Sequence, residues 1–182
     1  MWRLVSYFLQ ISMLIKLVSA FTNNLHTSNL VSRCISSSPT SSSTLILNSL
    51  PSLIVFDLDN TLWTPELYQL RKLQRSNQYP VAHKDVKLYP AVKSIIHQIR
   101  NEQYSDVKFA IASRTKSVDW AHDLLNQFEL RELFDHIEIF PGDKLQHFSN
   151  IKHASGIDYK DMLFFDDNRD GKYGNCEPGK CL

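Results

Sequence analysis

The 182-residue sequence has no acidic residue before Asp57. All 19 aspartates and glutamates lie at or after that position, and the only charged residues ahead of it are Arg3, Lys16 and Arg33. The first 56 residues thus carry +3, and the remainder, with 17 basic residues, carries −2. A body so close to neutral gives no electrostatic case for binding nucleic acid. Cysteine is scarce too. Cys34, Cys176 and Cys181 form neither a disulfide framework nor a zinc ribbon, and Cys176 and Cys181 lack the second pair that a structural metal site needs. The longest apolar stretch, Leu4 to Ile15, is interrupted by Gln10 and closed by Lys16. It falls short of the roughly 20 residues of a membrane-spanning helix. The seven histidines are scattered without ligand spacing, and His147 and His153, on one expected helix, read as surface residues.

What the N-terminus does have is the pattern of an address. Met1-Trp2-Arg3 is a basic start, the apolar stretch follows, and Val18-Ser19-Ala20 has the small residues of a signal-peptidase site. Residues 1–20 are read as a signal peptide, with an uncleaved signal anchor kept open by Lys16. Residues 21–50 are rich in serine and threonine, free of acids and lightly basic, which is the composition of a transit peptide and too poor in apolar surface for a core. The two parts together, with Phe21 just after the expected cut, resemble the presequences of proteins sent to plastids through the secretory route. The expected destination is therefore a plastid, with secretion or retention in the endoplasmic reticulum as the alternative. Residues 1–50 fused to a fluorescent reporter should deliver it to plastids. A reporter that is wholly secreted or cytosolic would sink that expectation.

Residues 51–182 form the folded domain, about 130 residues, enough for one core that buries roughly two-thirds of the unfolded surface. Its pattern alternates. Leu53–Asp57 is a short apolar run rich in β-branched residues, a buried strand. Thr64 to Leu88 has weak periodicity and reads as a loop or small flap. Pro90 opens a helix with Val92, Ile95, Ile96 and Ile99 on one stripe. Val107–Ser113 is a second strand. Ser117 is placed to cap a helix that buries Val118, Ala121, Leu124, Leu125 and Phe128. His136–Phe140 is a third strand, ended by Pro141-Gly142. A helix runs from about Lys144 to Ala154 and stops at Gly156, and Met162–Phe165 is a fourth strand. Such alternation implies an α/β fold with a parallel sheet covered on both faces, in which ligands bind at the carboxyl ends of the strands.

The chemically loaded residues fall at those ends. Asp57 and Asp59 follow the first strand, Ser113-Arg114-Thr115 the second, Lys144 the third, and Asp166-Asp167 the fourth. The two-residue spacing of Asp57 and Asp59 points both side chains the same way in extended backbone. Carboxylates so close repel unless a cation, a shared proton or a substrate intervenes. Several carboxylates without a histidine favour a hard cation, Mg²⁺ before Zn²⁺. Ser113 adds a hydroxyl and Lys144 a positive charge, and the set suits a phosphate dianion. A calcium loop over 57–68 is excluded, since its sixth position is Leu62 and its twelfth is Tyr68.

Phe56-Asp57-Leu58-Asp59-Asn60-Thr61-Leu62-Trp63, Leu88-Tyr89-Pro90, Ala112-Ser113-Arg114-Thr115, Ile139-Phe140-Pro141-Gly142 before Lys144, and Phe164-Phe165-Asp166-Asp167 resemble the haloacid-dehalogenase-like phosphatases. Within them, these motifs resemble the magnesium-dependent phosphatase-1 family, over residues 52–170. The resemblance implies a three-layer Rossmann-like sheet that is capless or carries a small flap. It implies that Asp57 is the nucleophile and Asp59 the general acid and base. Asp57, the backbone carbonyl of Asp59, and Asp166 would hold Mg²⁺, with Asp167 in support. Ser113 and Lys144 would hold the phosphoryl group, aided by Arg114 and the Leu58 and Asp59 amides. Trp63 is left between covering the core and touching substrate. The family continues beyond the point where this sequence stops, so the C-terminus is expected to be truncated.

The expected substrate is a phosphorylated small molecule of sugar-phosphate type, with a phosphotyrosine protein as the alternative at the same site. A non-catalytic phosphate-binding domain is the reading of a different class. A D-x-D glycosyltransferase is excluded by the length of the domain. A monomer without nucleic-acid partners, and without stable membrane association once the presequence is removed, is expected.

Overall fold

The computed structural model describes residues 51–101 and 106–167. The presequence and the tail after Asp167 lie outside the described residues. Strand β1, Leu53–Phe56, is the centre of the fold. All four of its side chains are buried, and they alternate between two cores. Ile54 and Phe56 join Phe109, Ile111, Leu124 and Leu125 on one face, while Leu53 and Val55 join Ala110, Ala112, Phe148 and Ile151 on the other. A strand apolar on both faces must be covered on both, which makes the domain three layers deep.

The sheet also contains β4 (Lys108–Ser113), β5 (His136–Ile139) and β6 (Met162–Phe165), in the order β5-β4-β1-β6 with every pair parallel. From β1 the chain moves outward on one side to β4 and β5, then returns to place β6 on the other. Between β1 and β6 the winding reverses, and such a switch point opens a crevice beyond the strand ends. Phe56 pairs with Ile111 and with Phe165, so the residues that follow these partners emerge together at one end. The Asp57 amide donates to the Phe165 carbonyl at 2.9 Å and locks that alignment.

The flap expected over 64–88 is a small ribbon. Strands β2 (Trp63–Thr64) and β3 (Lys87–Leu88) pair antiparallel. Between them lie a 3-10 turn, Leu67–Gln69, and a single-turn helix α1, Arg71–Arg75. Leu67 and Val86 are fully buried and pin the ribbon to the core. Helix α2, Val92–Asn101, begins two residues after Pro90 and buries Val92 and Ile96 from its expected stripe. Helix α3, Val118–Gln127, buries Ala121, Leu124 and Leu125.

Helix α4, Lys144–Ser155, covers the opposite face and ends at Gly156, whose φ of 71° is left-handed. A Cβ there would meet no atom, so glycine is chosen for its backbone and not for space.

Two expectations are corrected. Ser117 stands at the start of α3, but its hydroxyl makes no cap bond; its own amide donates to Thr115 Oγ1 at 3.3 Å. The Ser117 backbone, at φ −92° and ψ 58°, is outside the extended conformation from which a cap hydroxyl reaches the first-turn amides. His147 is not a surface residue. It is fully buried, because α4 lies flat on the sheet and its second turn faces the ends of β4 and β5.

Candidate active site

The site starts from a tight turn after β1. The Leu58 carbonyl accepts from the amides of Thr61 and Leu62 at 3.1 and 2.8 Å, and Asn60 takes a left-handed φ of 56°. Asparagine tolerates that conformation better than most residues. The turn buries the Leu58 side chain in the core and lifts Asp57 and Asp59 to the strand ends.

Lys144 is the first residue of α4, and Asp143 caps that helix by accepting from the Leu145 amide at 3.0 Å. The cap aims the Lys144 side chain across the end of β4. It is only 2% exposed, and its Nζ donates to Asp57 Oδ1 at 2.8 Å and to the Ala112 carbonyl, and pairs with Asp166 Oδ2 at 3.3 Å. The Phe164 ring lies 5.0 Å beneath the ammonium. Although it opens a helix, Lys144 is not a solvated residue.

Carboxylate oxygens of Asp57, Asp166 and Asp167 come within 4.8 Å of one another. Asp57 and Asp166 are buried and Asp167 is half-buried. One ammonium among three clustered carboxylates leaves a surplus of negative charge. Burial, and next the charge of Asp57, push the Asp167 carboxyl above its ordinary range, and the Asn60 side chain pulls it partly back. An all-oxygen donor set of this kind fits a hard divalent cation. Asp167, expected only to support the metal shell, is itself a member of this cluster.

Asp59 stands outside the cluster, and both its oxygens are held. Trp63 Nε1 donates to Oδ1 at 2.8 Å, and the Leu67 amide to Oδ2 at 3.3 Å. The question over Trp63 is thus decided: fully buried and stacked near Phe128, it orients a carboxyl. Burial raises the Asp59 carboxyl to about 7; the Trp63 bond opposes the rise and the Asp57 charge adds to it. A carboxyl poised there both gives and takes a proton near neutrality.

Because the folded protein holds this proton more tightly than the unfolded chain, Asp59 contributes stability below its unfolded value of 3.8, and that contribution disappears as pH rises to about 7. In chelator-treated protein, urea unfolding should therefore show stability falling by about 2–4 kcal/mol across that window. The Asp59→Asn variant should flatten the decline.

These groups line a cavity of about 570 Å³. Asp57, Asp59, Ser113, Lys144 and Asp167 reach it, and Asp166 lies fully buried behind. Arg114 is exposed and lines the cavity. Glu66, Tyr68, Gln74 and Lys116 also line it, although no motif marked them. Only the folding of the ribbon brings the first three there. Lys116 had a signal in its place just after Ser113-Arg114-Thr115.

A parallel sheet covered on both faces, with two aspartates beyond its central strand and a buried lysine facing them, defines a haloacid-dehalogenase-like hydrolase. More narrowly, the acid phosphatase family model matches residues 49–176, and the chain belongs to that family of phosphoric monoester hydrolases. It is 38% identical over 125 residues to magnesium-dependent phosphatase 1 of Homo sapiens, covering 66% of this chain and 69% of that protein. It is 32% identical over 133 residues to a HAD-like hydrolase superfamily protein of Schizosaccharomyces pombe, covering 64% and 76%. Among solved structures, a haloacid-dehalogenase-like hydrolase of Streptococcus pneumoniae shares the fold, with a TM-score of 0.50 at 14% identity over 68% of this chain and 78% of that one.

Proposed function

We propose that this protein is a Mg²⁺-dependent phosphatase that passes the phosphoryl group of a monoester first to Asp57 and then to water. The observation that carries the reading is the cluster of Asp57, Asp166 and Asp167 with Lys144 on the first two. Those carboxylates, with the Asp59 backbone carbonyl, would hold Mg²⁺, which when bound supplies charge neutralisation for the phosphoryl oxygens. Lys144 and the Ser113 hydroxyl bind and orient the phosphoryl group at the cavity floor, with the Leu58 and Asp59 amides beside them, and Arg114 meets the substrate at the mouth. An Asp57 oxygen attacks phosphorus while the bond to the ester oxygen breaks, and Asp59 gives that oxygen its proton. Asp59 then takes a proton from the water that hydrolyses the aspartyl-phosphate.

A small phosphate ester, such as a sugar phosphate, is the favoured substrate. A phosphotyrosine protein is the second reading, supported by the small flap and by Tyr68, which is 55% exposed and stands at the cavity. The decisive test is hydrolysis of an aryl phosphate by the purified protein, with Mg²⁺ and with excess chelator. The expected result is turnover that the chelator abolishes and added Mg²⁺ restores. Turnover indifferent to the chelator would overturn the metal requirement, and folded protein without turnover would favour a phosphate-binding domain.

A further inference from the structure

The histidine hidden at the base of the site has no role in the reaction just described. His147 is fully buried on the second turn of α4. Its Nε2 lies 2.9 Å from the Ser113 carbonyl oxygen and 3.0 Å from that of Phe140, and its Nδ1 lies 2.8 Å from the Asp143 carbonyl oxygen. The ring stacks on Phe140 with centroids 3.7 Å apart and planes within 3°. Carbonyl oxygens only accept, so a bond on the Nε2 side requires a hydrogen on Nε2, and the Ser113 and Phe140 carbonyls would then share it.

The three carbonyls belong to three separate pieces of the site. Ser113 ends β4 and presents the phosphate-binding hydroxyl. Phe140 follows β5, and its own amide donates to the Ser113 carbonyl at 3.1 Å. Asp143 caps α4 directly before Lys144. The Ser113 carbonyl therefore accepts from Phe140 and His147 together, which restrains the backbone from which its hydroxyl projects.

We propose that His147 is a positioning residue that locks Ser113 and Lys144 into one phosphate-binding unit. This rests on the phosphatase reading. Ser113 and Lys144 touch the phosphoryl group, and His147 acts only through them. It needs no exposure to substrate and lies outside the cluster of carboxylates. Without its Nε2 donor the Phe140 and Ser113 carbonyls lose their common partner, and the end of β4 can shift against the start of α4. Displacements of an ångström between reacting groups cost up to about 100-fold in rate.

The test compares His147→Gln, His147→Asn and His147→Phe in the full protein. A glutamine amide nitrogen occupies the position of Nε2 and has two hydrogens, one for each carbonyl. Asparagine reaches only the Nδ1 position, and phenylalanine keeps the stack without a donor. With aryl phosphate and Mg²⁺, Asn and Phe should lower kcat/KM by about 10- to 100-fold. They should also raise the inhibition constant of inorganic phosphate, while Gln keeps both close to the parent. If folded Asn or Phe variants match the parent in both, the proposal is overturned. If Gln falls with them, the donor is not the cause, and the proposal is likewise overturned. Nitrogen-resolved NMR of the parent protein provides a readout that no variant's folding can obscure: Nε2 should carry a hydrogen protected from exchange, and a bare Nε2 would overturn the proposal. A parent without chelator-sensitive turnover would instead refute the phosphatase reading and, with it, this inference; an intact parent with indifferent variants refutes His147 alone.

Discussion

Asp57→Asn is expected to leave a folded protein that binds inorganic phosphate but does not turn over an aryl phosphate. The loss of kcat should be on the order of 10⁵- to 10⁶-fold, the size seen when a nucleophile is removed from a machine that works as a unit. The substitution keeps an oxygen at hydrogen-bond distance from Lys144 Nζ, now 2.8 Å from Oδ1, and removes one negative charge from the cluster with Asp166 and Asp167. Stability should therefore be equal or higher, because like charges close together oppose folding. Steady-state kinetics with a urea titration on the same sample separates the two effects. Turnover within about tenfold of the parent would remove Asp57 from the role of nucleophile.

The second large effect is expected from Lys144→Met, and there activity and stability should fall together. The ammonium is buried, pairs with Asp57 and Asp166, and donates to the Ala112 carbonyl. Methionine fills much of the volume but leaves two carboxylates in the interior without their cation. Breaking a buried pair from one side costs about 3–5 kcal/mol. Urea denaturation of chelator-treated protein should show that loss, and it should shrink in acid, where the carboxylates become protonated and the missing cation no longer matters. Loss of a charged group aimed at the phosphoryl oxygens should lower kcat/KM by a further factor of about 10²–10³. Arginine should not rescue the site. A forked guanidinium is bulkier than an ammonium, and this one would have to fit above Phe164 in a space that leaves lysine 2% exposed. A Lys144→Met protein as stable as the parent would show that the pair is not what holds these strand ends together.

Much of this could be read in the chain because the decisive patterns are local. A run such as Leu53–Phe56 bounded by Asp57, or the stripe through Val92 and Ile96, is written in neighbouring residues, and so are the strands, helices and strand-end chemistry that follow from it. Local reading failed where partners distant in sequence decide a side chain's surroundings. His147 and His153 look alike on a helical pattern; only the packing of α4 against β4 and β5 buries the first and leaves the second exposed. Ser117 stood in the right position for a cap, but its backbone at φ −92° and ψ 58° keeps the hydroxyl from the first-turn amides.

By itself, the sequence determined the alternation of strands and helices, the same-side placement of Asp57 and Asp59, and the order in which Ser113, Lys144, Asp166 and Asp167 arrive. Periodicity and spacing are properties of neighbouring residues and need no knowledge of the fold. Only the tertiary structure decided that β1 lies between β4 and β6, that Lys144 meets Asp57 from 87 residues away, and that Trp63 and the Leu67 amide hold the two oxygens of Asp59. The shift of Asp59 to about 7 belongs to the same group. Its main cause is the removal of water, and how much water a carboxyl loses is set by everything packed around it, not by the residues beside it in the chain.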